Sequence, residues 1–538
     1  MNVPTTTTTA TSTPVTASGA VTHRTAAADL TVPQGRPVPA GFVIGAATAA
    51  YQIEGARHED GRRDSVWDTF SHTPGAVVGG DTGDVACDHF HRFAEDVALM
   101  RRLGLQSYRF STSWSRVVPN GRTVNRAGLD FYERLVDELL GAGIAPWLTL
   151  YHWDLPQALE DRGGWTVRDT TDRFVEYAAA VHDRLGDRVR TWTTLNEPWC
   201  SAFLGYTAGM HAPGRTSVAD GLAAAHHLLL GHGRVVQELR SRDASVELGL
   251  TLNFTVADPL DPADPRDVDA ARRVDAQMNR IFLDPVFRGA YPADLLEDVR
   301  GLGLEDHVMD GDLEVISTPI DVLGVNYYNG EAIAHWRPEV ALDDNVNGGR
   351  RTRSPFPAAD TSFRHPRGLP VTAMDWEIQP EGLTRLLHRL HDEYTGPAGV
   401  PLHVTENGAA FDDVPDADGF VEDADRVAYV RAHLGAVLDA ADAGVPVRGY
   451  FYWSLLDNFE WAWGYAKRFG IVRVDYDTQV RTPKASALDL ARIIATRVLP
   501  TGRPSTDVPG TTGTTGTTDA AAGTDGVRTD ERAGDTDA

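Results

Sequence analysis

Short apolar runs alternate with longer amphipathic stretches between about residues 39 and 499. The runs are rich in β-branched and aromatic residues, which favours buried strands, whereas the stretches repeat apolar residues at i, i+3 and i+4, which favours helices. The pattern predicts eight strands, at 42–48, 107–110, 145–152, 191–197, 248–253, 322–328, 402–406 and 449–455. Intervening helices are predicted at 94–103, 130–142, 172–185, 221–239 and 425–443.

Eight strands that are each followed by a helix predict an α/β fold, a closed (β/α)8 (TIM) barrel, more naturally than an open sheet. The 538 residues could hold two or three average domains, but the repeats place residues 37–499 in one barrel domain. The polar, Pro- and Gly-rich stretch 337–375 is predicted as a long loop after the sixth strand. Such loops lie over the functional face of a barrel.

Both ends of the chain differ in composition from this domain. Residues 1–36 are rich in Thr, Ala and Pro, and residues 500–538 in Thr, Gly and Asp, so both are predicted to be disordered tails. The first tail lacks the basic start and apolar segment of a secretory signal, and no apolar run reaches the ~18 residues of a membrane span. The sequence therefore predicts a cytoplasmic protein, with an unusual export route left open.

The net charge of −26 and a pI near 5.0 argue against binding to nucleic acid or to an anionic membrane. Cys87 and Cys200 are too few for a disulfide framework and are predicted to be reduced thiols. Gly-rich phosphate-binding motifs are absent, so no cofactor is predicted. No metal is predicted either, because the aspartates at 81, 84 and 88 do not fit a calcium loop and the histidines at 226 and 227 lack a third ligand.

Polar or aromatic clusters stand near the carboxyl ends of seven predicted strands. They are Gln52, Arg109, His152 with Trp153, Asn196 with Glu197, Asn326 with Tyr328, Glu406 with Asn407, and Trp453 leading to Glu460 and Trp461. Parallel strands of a barrel end at one face, where buried carboxylates are costly unless they are hydrogen-bonded. Two glutamates there suit retaining glycoside hydrolysis, which needs an acid and a nucleophile about 5 Å apart.

Each of two motifs has a structural interpretation when it is taken alone. Asn-Glu-Pro at 196–198 fits a turn that begins a helix, and Thr-Glu-Asn-Gly at 405–408 fits a tight Asn-Gly turn. Together with five other motifs they resemble glycoside hydrolase family 1, the β-glucosidase family, in order from about residue 39 to 499. The five are Tyr-Gln-Ile-Glu-Gly at 51–55, Tyr-Arg-Phe-Ser at 108–111, Tyr-His-Trp-Asp-Leu-Pro at 151–156, Asn-Tyr-Tyr at 326–328 and Trp-Ser-Leu-Leu-Asp-Asn-Phe-Glu-Trp at 453–461. A small departure lies at 111–116, where Thr112 and Ser115 replace the expected Ile and Pro.

The resemblance implies roles for residues in these motifs. Glu197 would be the general acid/base and Glu406 the nucleophile. Arg109 would keep Glu406 ionised, Tyr328 would steady it, and Asn196 would bind the sugar 2-hydroxyl. The remaining residues implied in substrate binding are Gln52, His152, Trp153, Asn326, Trp376, Trp453, Glu460, Trp461 and Phe469.

Within this set, Gln52, His152, Glu460 and Trp461 match the family positions that hold sugar hydroxyls. Trp453 matches its stacking platform and Trp376 its aromatic on the aglycone side.

The predicted substrate is a small β-glycoside, with terminal β-D-glucosyl residues of cello-oligosaccharides or of aryl and alkyl glucosides favoured. Glu460 argues against a 6-phosphate, which a carboxylate would repel. The presence of Glu197 argues against the family's thioglucosidases, which lack the acid. A non-catalytic sugar-binding protein and a transglycosidase stay as alternatives. The choice among glucoside, galactoside and fucoside is open, as is the oligomeric state.

Overall fold

The computed structural model describes residues 34–336, 346–347, 350–359 and 361–501. Eight parallel strands close into a barrel in chain order, the eighth pairing with the first. Their bounds are β1 Val43–Ala47, β2 Ser107–Ser111, β3 Ala145–Tyr151, β4 Thr191–Asn196, β5 Glu247–Phe254, β6 Val322–Tyr327, β7 Leu402–Asn407 and β8 Val447–Trp453. The predicted fold class and all eight predicted strands are therefore confirmed.

One principal helix follows each strand. The helices are α1 His89–Leu103, α2 Arg126–Gly141, α3 Asp169–Leu185, α4 Val218–Arg242, α5 Pro265–Asp275, α6 Pro380–Leu390, α7 Ala424–Asp442 and α8 Ala485–Thr496. The α5 helix continues through a π-helical turn, Ala276–Arg280, into a further helix, Ile281–Arg288. These helices cover the barrel, so strands such as β2 and β6 are buried along their whole length.

Large side chains fill the barrel at the end where the strands begin. Trp147 of β3, Val322 of β6 and Phe451 of β8 form one buried cluster, and the rings of Trp147 and Phe451 lie 5.2 Å apart. Because β3 and β8 are not neighbours in the sheet, this contact crosses the barrel interior. Because these side chains fill the amino-terminal end of the barrel, a functional site is expected at the carboxyl ends of the strands.

The stretch 337–375 is not loop throughout, which corrects the sequence prediction. Residues Ser362–His365 pair antiparallel with Glu331–His335, which pairs in turn with Ala257–Pro259. The side chains of Ser362–His365 are polar or half-buried, so they give no apolar alternation that would have marked a strand. Residues 337–345, 348–349 and 360 of this stretch lie outside the described residues.

Short antiparallel strands join the two ends of the barrel domain. Gly35–Pro37 pairs with Val498–Pro500, so the folded domain begins slightly before the predicted start at residue 37. The tails predicted at 1–36 and 500–538 otherwise fall mostly outside the described residues. None of the helices among the described residues is both long and apolar enough to span a membrane.

Buried neutral histidines make the fold sensitive to acid. Burial lowers the pKa of His227 to about 4, of His232 to about 3 and of His433 to about 4. An unfolded chain binds protons at these side chains below pH ~6.5, whereas the folded chain does not until the lower pKa is reached. The free energy of unfolding should therefore fall as the pH drops from about 6.5 to 4, by roughly 2 kcal/mol per histidine at pH 5.

Thermal unfolding followed by circular dichroism across this pH range would check the prediction. His232→Gln removes one of the buried imidazoles and should make the decline shallower. His58→Gln is a matched control, because the side chain of His58 is 64% exposed. An unfolding temperature that stays constant from pH 7 to 5 in the wild type would contradict this account.

Candidate active site

Glu197 and Glu406 meet at the carboxyl end of the barrel. Glu197 directly follows β4 and Glu406 lies near the end of β7, and their exposed fractions are 5% and 3%. Pro198 begins a helical segment immediately after Glu197, so the helix-start interpretation of Asn-Glu-Pro holds alongside its place at a strand end. Two buried carboxyls at this face require a specific hydrogen-bonding environment.

Both carboxylate oxygens of Glu406 accept hydrogen bonds. Arg109 Nη1 on β2 donates to Oε1 at 2.5 Å, and the hydroxyl of Tyr328 donates to Oε2 at 2.8 Å. Burial raises the pKa of Glu406, while the positive charge of Arg109 and the two hydrogen bonds act in the opposite direction. These contacts favour the ionised form of Glu406.

The carboxyl of Glu197 has a different environment, in which both hydrogen-bond donors are neutral. Asn326 Nδ2 donates to Oε1 at 2.7 Å, and Cys200 Sγ lies 3.2 Å from Oε2. Burial, followed by the negative charge of Glu406, raises the pKa of Glu197 to about 8. Of the two glutamates, Glu197 is therefore the one suited to carry a proton near neutral pH.

A chain of amides connects the two glutamates. Asn196 Oδ1 accepts from Arg109 Nη2 at 2.6 Å and from Asn326 Nδ2 at 3.1 Å. Asn196 Nδ2 lies 2.9 Å from Nε2 of His152, and burial holds the pKa of His152 well below its ordinary value. His152 is thus a neutral imidazole that accepts at Nε2 and carries its proton on Nδ1.

Gln52 and Glu460 form a second polar group at this face. Gln52 Nε2 donates to Asn458 Oδ1 at 2.9 Å and to the carbonyl of Phe459 at 2.8 Å, and lies 3.4 Å from Glu460 Oε2. Burial, followed by the charges of Glu406 and Glu197, raises the pKa of Glu460 to about 8. Glu460 can therefore both donate and accept hydrogen bonds at neutral pH.

Aromatic rings surround these polar groups on two sides. The ring centroid of Trp461 lies 4.4 Å from that of Trp153, and Trp453 stacks on His152 at 5.7 Å. On the other side, Trp376 lies 5.4 Å from Tyr328, and Phe469 lies 6.1 Å from each of them. Every residue that the sequence assigned to the site is thus placed at this face by a contact with another member of the set or by its strand end.

Three residues of the set have a left-handed backbone: Trp153 with φ 77°, Glu197 with φ 45° and Trp461 with φ 47°. Such conformations cost of order 1–3 kcal/mol each in non-glycine residues and persist where the surrounding packing enforces them. Position 408 requires glycine because a Cβ there would collide with the backbone carbonyl of Trp453. Because Asn407 lies within β7, the alternative of a tight Asn-Gly turn is wrong.

Two residues of this region are not among those predicted from the sequence. Cys200, which the sequence predicts only as a reduced thiol, contacts Glu197, and its spacing of three from Glu197 is the signal that identifies it. The ring of His211 lies 5.2 Å from Trp67 and 5.5 Å from Trp153. His211 is far from any strand end in the sequence, so no periodic signal marked it.

A closed barrel with two buried glutamates of opposite proton preference at its carboxyl end is the arrangement that glycosidases of the paired-carboxylate type use. Among the described residues, no group of three or more His, Cys, Asp and Glu side chains is arranged to hold a metal ion.

Comparison with known proteins agrees with this class. The sequence model of glycosyl hydrolase family 1 matches residues 34–498. A thermostable beta-glucosidase B of Thermobispora bispora is 54% identical over 451 residues, covering 84% of this chain and 89% of the relative. A bifunctional beta-D-glucosidase/beta-D-fucosidase of Bifidobacterium breve is 48% identical over 469 residues, covering 85% of this chain and 98% of the relative.

Among solved structures, a psychrophilic beta-glucosidase from Micrococcus antarcticus is similar, with a TM-score of 0.84 and 56% identity. The alignment covers 86% of this chain and 98% of that protein. The chain belongs to glycosyl hydrolase family 1. It is therefore an enzyme that acts on glycosidic bonds.

The hydrogen bond from Tyr328 to Glu406 predicts a change in pH dependence. Tyr328→Phe removes a donor that stabilises ionised Glu406, so the pKa of Glu406 should rise and the acidic limb of the kcat/KM profile should move to higher pH. Because hydrogen bonds to charged groups contribute about 1.5–3 kcal/mol, kcat/KM at the optimum should fall roughly 10- to 100-fold.

Tyr327→Phe at the neighbouring residue is the matched control, because the hydroxyl of Tyr327 donates to the carbonyl of Gln379 and not to Glu406. Its acidic limb should coincide with that of the wild type. Coincident limbs in Tyr328→Phe and the wild type would show that Tyr328 does not act on Glu406.

Proposed function

We propose that this enzyme is a retaining β-glucosidase that removes terminal non-reducing β-D-glucosyl residues from cello-oligosaccharides or from aryl and alkyl β-glucosides. The observation that carries the proposal is the asymmetry between the two glutamates. Glu406 contacts a guanidinium at 2.5 Å, whereas Glu197 has only neutral donors in contact. An ionised nucleophile opposite a protonated acid is what the first step of retention requires.

In that first step the carboxylate of Glu406 attacks the anomeric carbon as the bond to the leaving oxygen breaks. Glu197 transfers its proton to this oxygen, so the aglycone leaves as a neutral alcohol. Glu406 is then esterified by the sugar and loses its negative charge, which lowers the pKa of Glu197, because the charge of Glu406 is one of the causes that raise it. Glu197 is thereby prepared for the opposite role.

In the second step ionised Glu197 takes a proton from a water molecule, whose oxygen attacks the anomeric carbon. The bond between the sugar and Glu406 breaks, and β-glucose leaves with retained configuration. The positive charge of Arg109 stabilises the carboxylate that is released. Both glutamates then return to their starting protonation states.

Spare hydrogen-bonding capacity supports recognition of a sugar at this face. Within the described residues, Oε1 of Gln52 and Nδ1 of His152 are buried and have no protein partner. An amide oxygen and an imidazole N–H suit neighbouring hydroxyls, which both donate and accept. Trp453, which stacks on His152, supplies an apolar surface for the C–H face of a pyranose.

The names of the relatives favour glucosides, since the Thermobispora and Micrococcus proteins are described as beta-glucosidases. The Bifidobacterium relative is described as acting on both glucosides and fucosides, so a β-fucoside is the second substrate to test. A sugar-binding protein without catalysis would not need the opposed environments of Glu197 and Glu406. Transglycosylation is compatible with the same covalent intermediate as a side reaction.

Replacement of each glutamate tests the assigned roles. Glu406→Gly should lose at least about 10⁴-fold in kcat on an aryl β-D-glucoside, because no covalent intermediate forms. Glu197→Ala should hydrolyse poorly and be rescued by azide, which attacks the glycosyl-enzyme without needing a general base and gives the β-glucosyl azide. Glu297→Ala is a control, because its side chain is 65% exposed and remote in sequence from the strand ends.

Full activity of Glu406→Gly would exclude it as the nucleophile. An azide product of α configuration would exclude retention. A wild-type protein that binds β-glucosides without turning any of them over would favour the sugar-binding alternative.

The position of Glu460 predicts a substrate preference. If it holds the sugar 6-hydroxyl, Glu460→Gln should lower kcat/KM for an aryl β-glucoside by about 2- to 10-fold, on the scale of a hydrogen bond between neutral groups. The same substitution should have a smaller effect on the aryl 6-deoxy-β-glucoside, which lacks that hydroxyl. Equal losses on the two substrates would place Glu460 away from the 6-hydroxyl.

A cytoplasmic location stays a prediction from the composition of residues 1–36. Fractionation of the native host, with activity assayed in culture supernatant and cell extract, would test it.

A further inference from the structure

Cys200 contacts the acid/base glutamate directly. Its Sγ lies 3.2 Å from Glu197 Oε2, within hydrogen-bonding distance for sulfur, and its backbone N–H donates to the carbonyl of Glu197 at 3.0 Å. Cys200 begins the π-helical segment Cys200–Thr207 and is 6% exposed. The thiol is therefore fixed against one carboxyl oxygen by the backbone turn that follows β4.

The thiol of Cys200 is a neutral donor. Burial, followed by the charge of Glu197, raises the pKa of the Cys200 thiol well above its ordinary value, so it stays protonated. Asn326 Nδ2 occupies the other oxygen of Glu197 at 2.7 Å. Each oxygen of Glu197 thus has one uncharged donor, and an S–H donor interacts more strongly with a carboxylate than with a carboxylic acid.

We propose that Cys200 is a positioning residue for the reaction, whose S–H group orients Glu197 Oε2 and stabilises the ionised form of Glu197 in the second step. This inference rests on the proposed role of Glu197 as acid/base. The weak S–H donor gives Glu197 enough support as a base without removing the proton that it needs as an acid. A stronger or charged donor at this position would favour the carboxylate throughout the cycle.

Other charged groups also act on Glu197. Glu406 raises its pKa and Arg109 lowers it, while Glu460 and the hydroxyl of Tyr328 interact electrostatically with Glu197 from the segments that follow β8 and β6. Substitution at Cys200 leaves all four in place. A change in the titration of Glu197 in such variants therefore reports on the thiol.

The alkaline limb of the kcat/KM profile is the first measurement, since it reports ionisation of the acid in the free enzyme. Cys200→Ala and Cys200→Val lack the donor and should move this limb to higher pH by about 0.5 to 1 unit. Cys200→Ser restores a donor and should return the limb to the wild-type position or below it. The pair of alanine and valine variants separates loss of the donor from a change in packing volume.

Cys87 offers a matched control, because its Sγ donates to the carbonyl of Asp457 and not to Glu197. Cys87→Ser should leave the pH profile unchanged. It also leaves Cys200 as the single thiol, whose S–H stretching band lies in an infrared region free of other protein bands. This band should shift to lower frequency as Glu197 ionises, with the midpoint of the alkaline limb, and should not titrate when Glu197→Gln is added.

An alkaline limb that is unchanged or moves to lower pH in both Cys200→Ala and Cys200→Val would overturn the inference, as would an S–H band that does not respond to Glu197. Failure of this inference is distinguishable from failure of the proposed function. Azide rescue of Glu197→Ala, together with an unchanged alkaline limb in the Cys200 variants, would support Glu197 as the acid/base and reject only the positioning role of Cys200. Absence of azide rescue would reject the role of Glu197 itself.

Discussion

The ion pair between Arg109 and Glu406 is the interaction on which the rest of the site depends. Its two side chains are 1% and 3% exposed, so each charge would be strongly destabilising without the other. The guanidinium contacts Glu406 and Asn196, while Glu197 and Glu460 have neutral donors. The guanidinium thus favours the ionised form of Glu406, while burial is the largest cause that raises the pKa of Glu197 and of Glu460 to about 8.

The parallel strands of the barrel hold this ion pair in place, and large buried side chains fill the barrel at the opposite end. Arg109 is on β2 and Glu406 on β7, so only the closure of the sheet brings them together. Left-handed backbone at Trp153, Glu197 and Trp461 shows that local conformational preference is overridden where the side chains must converge. Asn196, in contact with Arg109, Asn326 and His152, connects the amide beside Glu197 to the guanidinium beside Glu406.

Sequence alone could predict the strands and the residues at their ends, because buried parallel strands are apolar and a barrel brings their carboxyl ends to one face. It could not predict the strand Ser362–His365, whose half-buried side chains show no apolar alternation, or the place of His211, which lies on a loop. The contact of Cys200 with Glu197 depends on the direction of the chain after Pro198. The opposed proton preferences of Glu197 and Glu406 depend on burial and distances that only the fold defines.

The most direct test of the central claim is to trap the covalent intermediate. An activated 2-deoxy-2-fluoro-β-glucoside slows the second step more than the first, so the sugar should accumulate on the nucleophile. Mass spectrometry of proteolytic peptides should then find one fluoroglucosyl group, attached to Glu406. A label on Glu197, or time-dependent inactivation with no covalent label, would contradict the account.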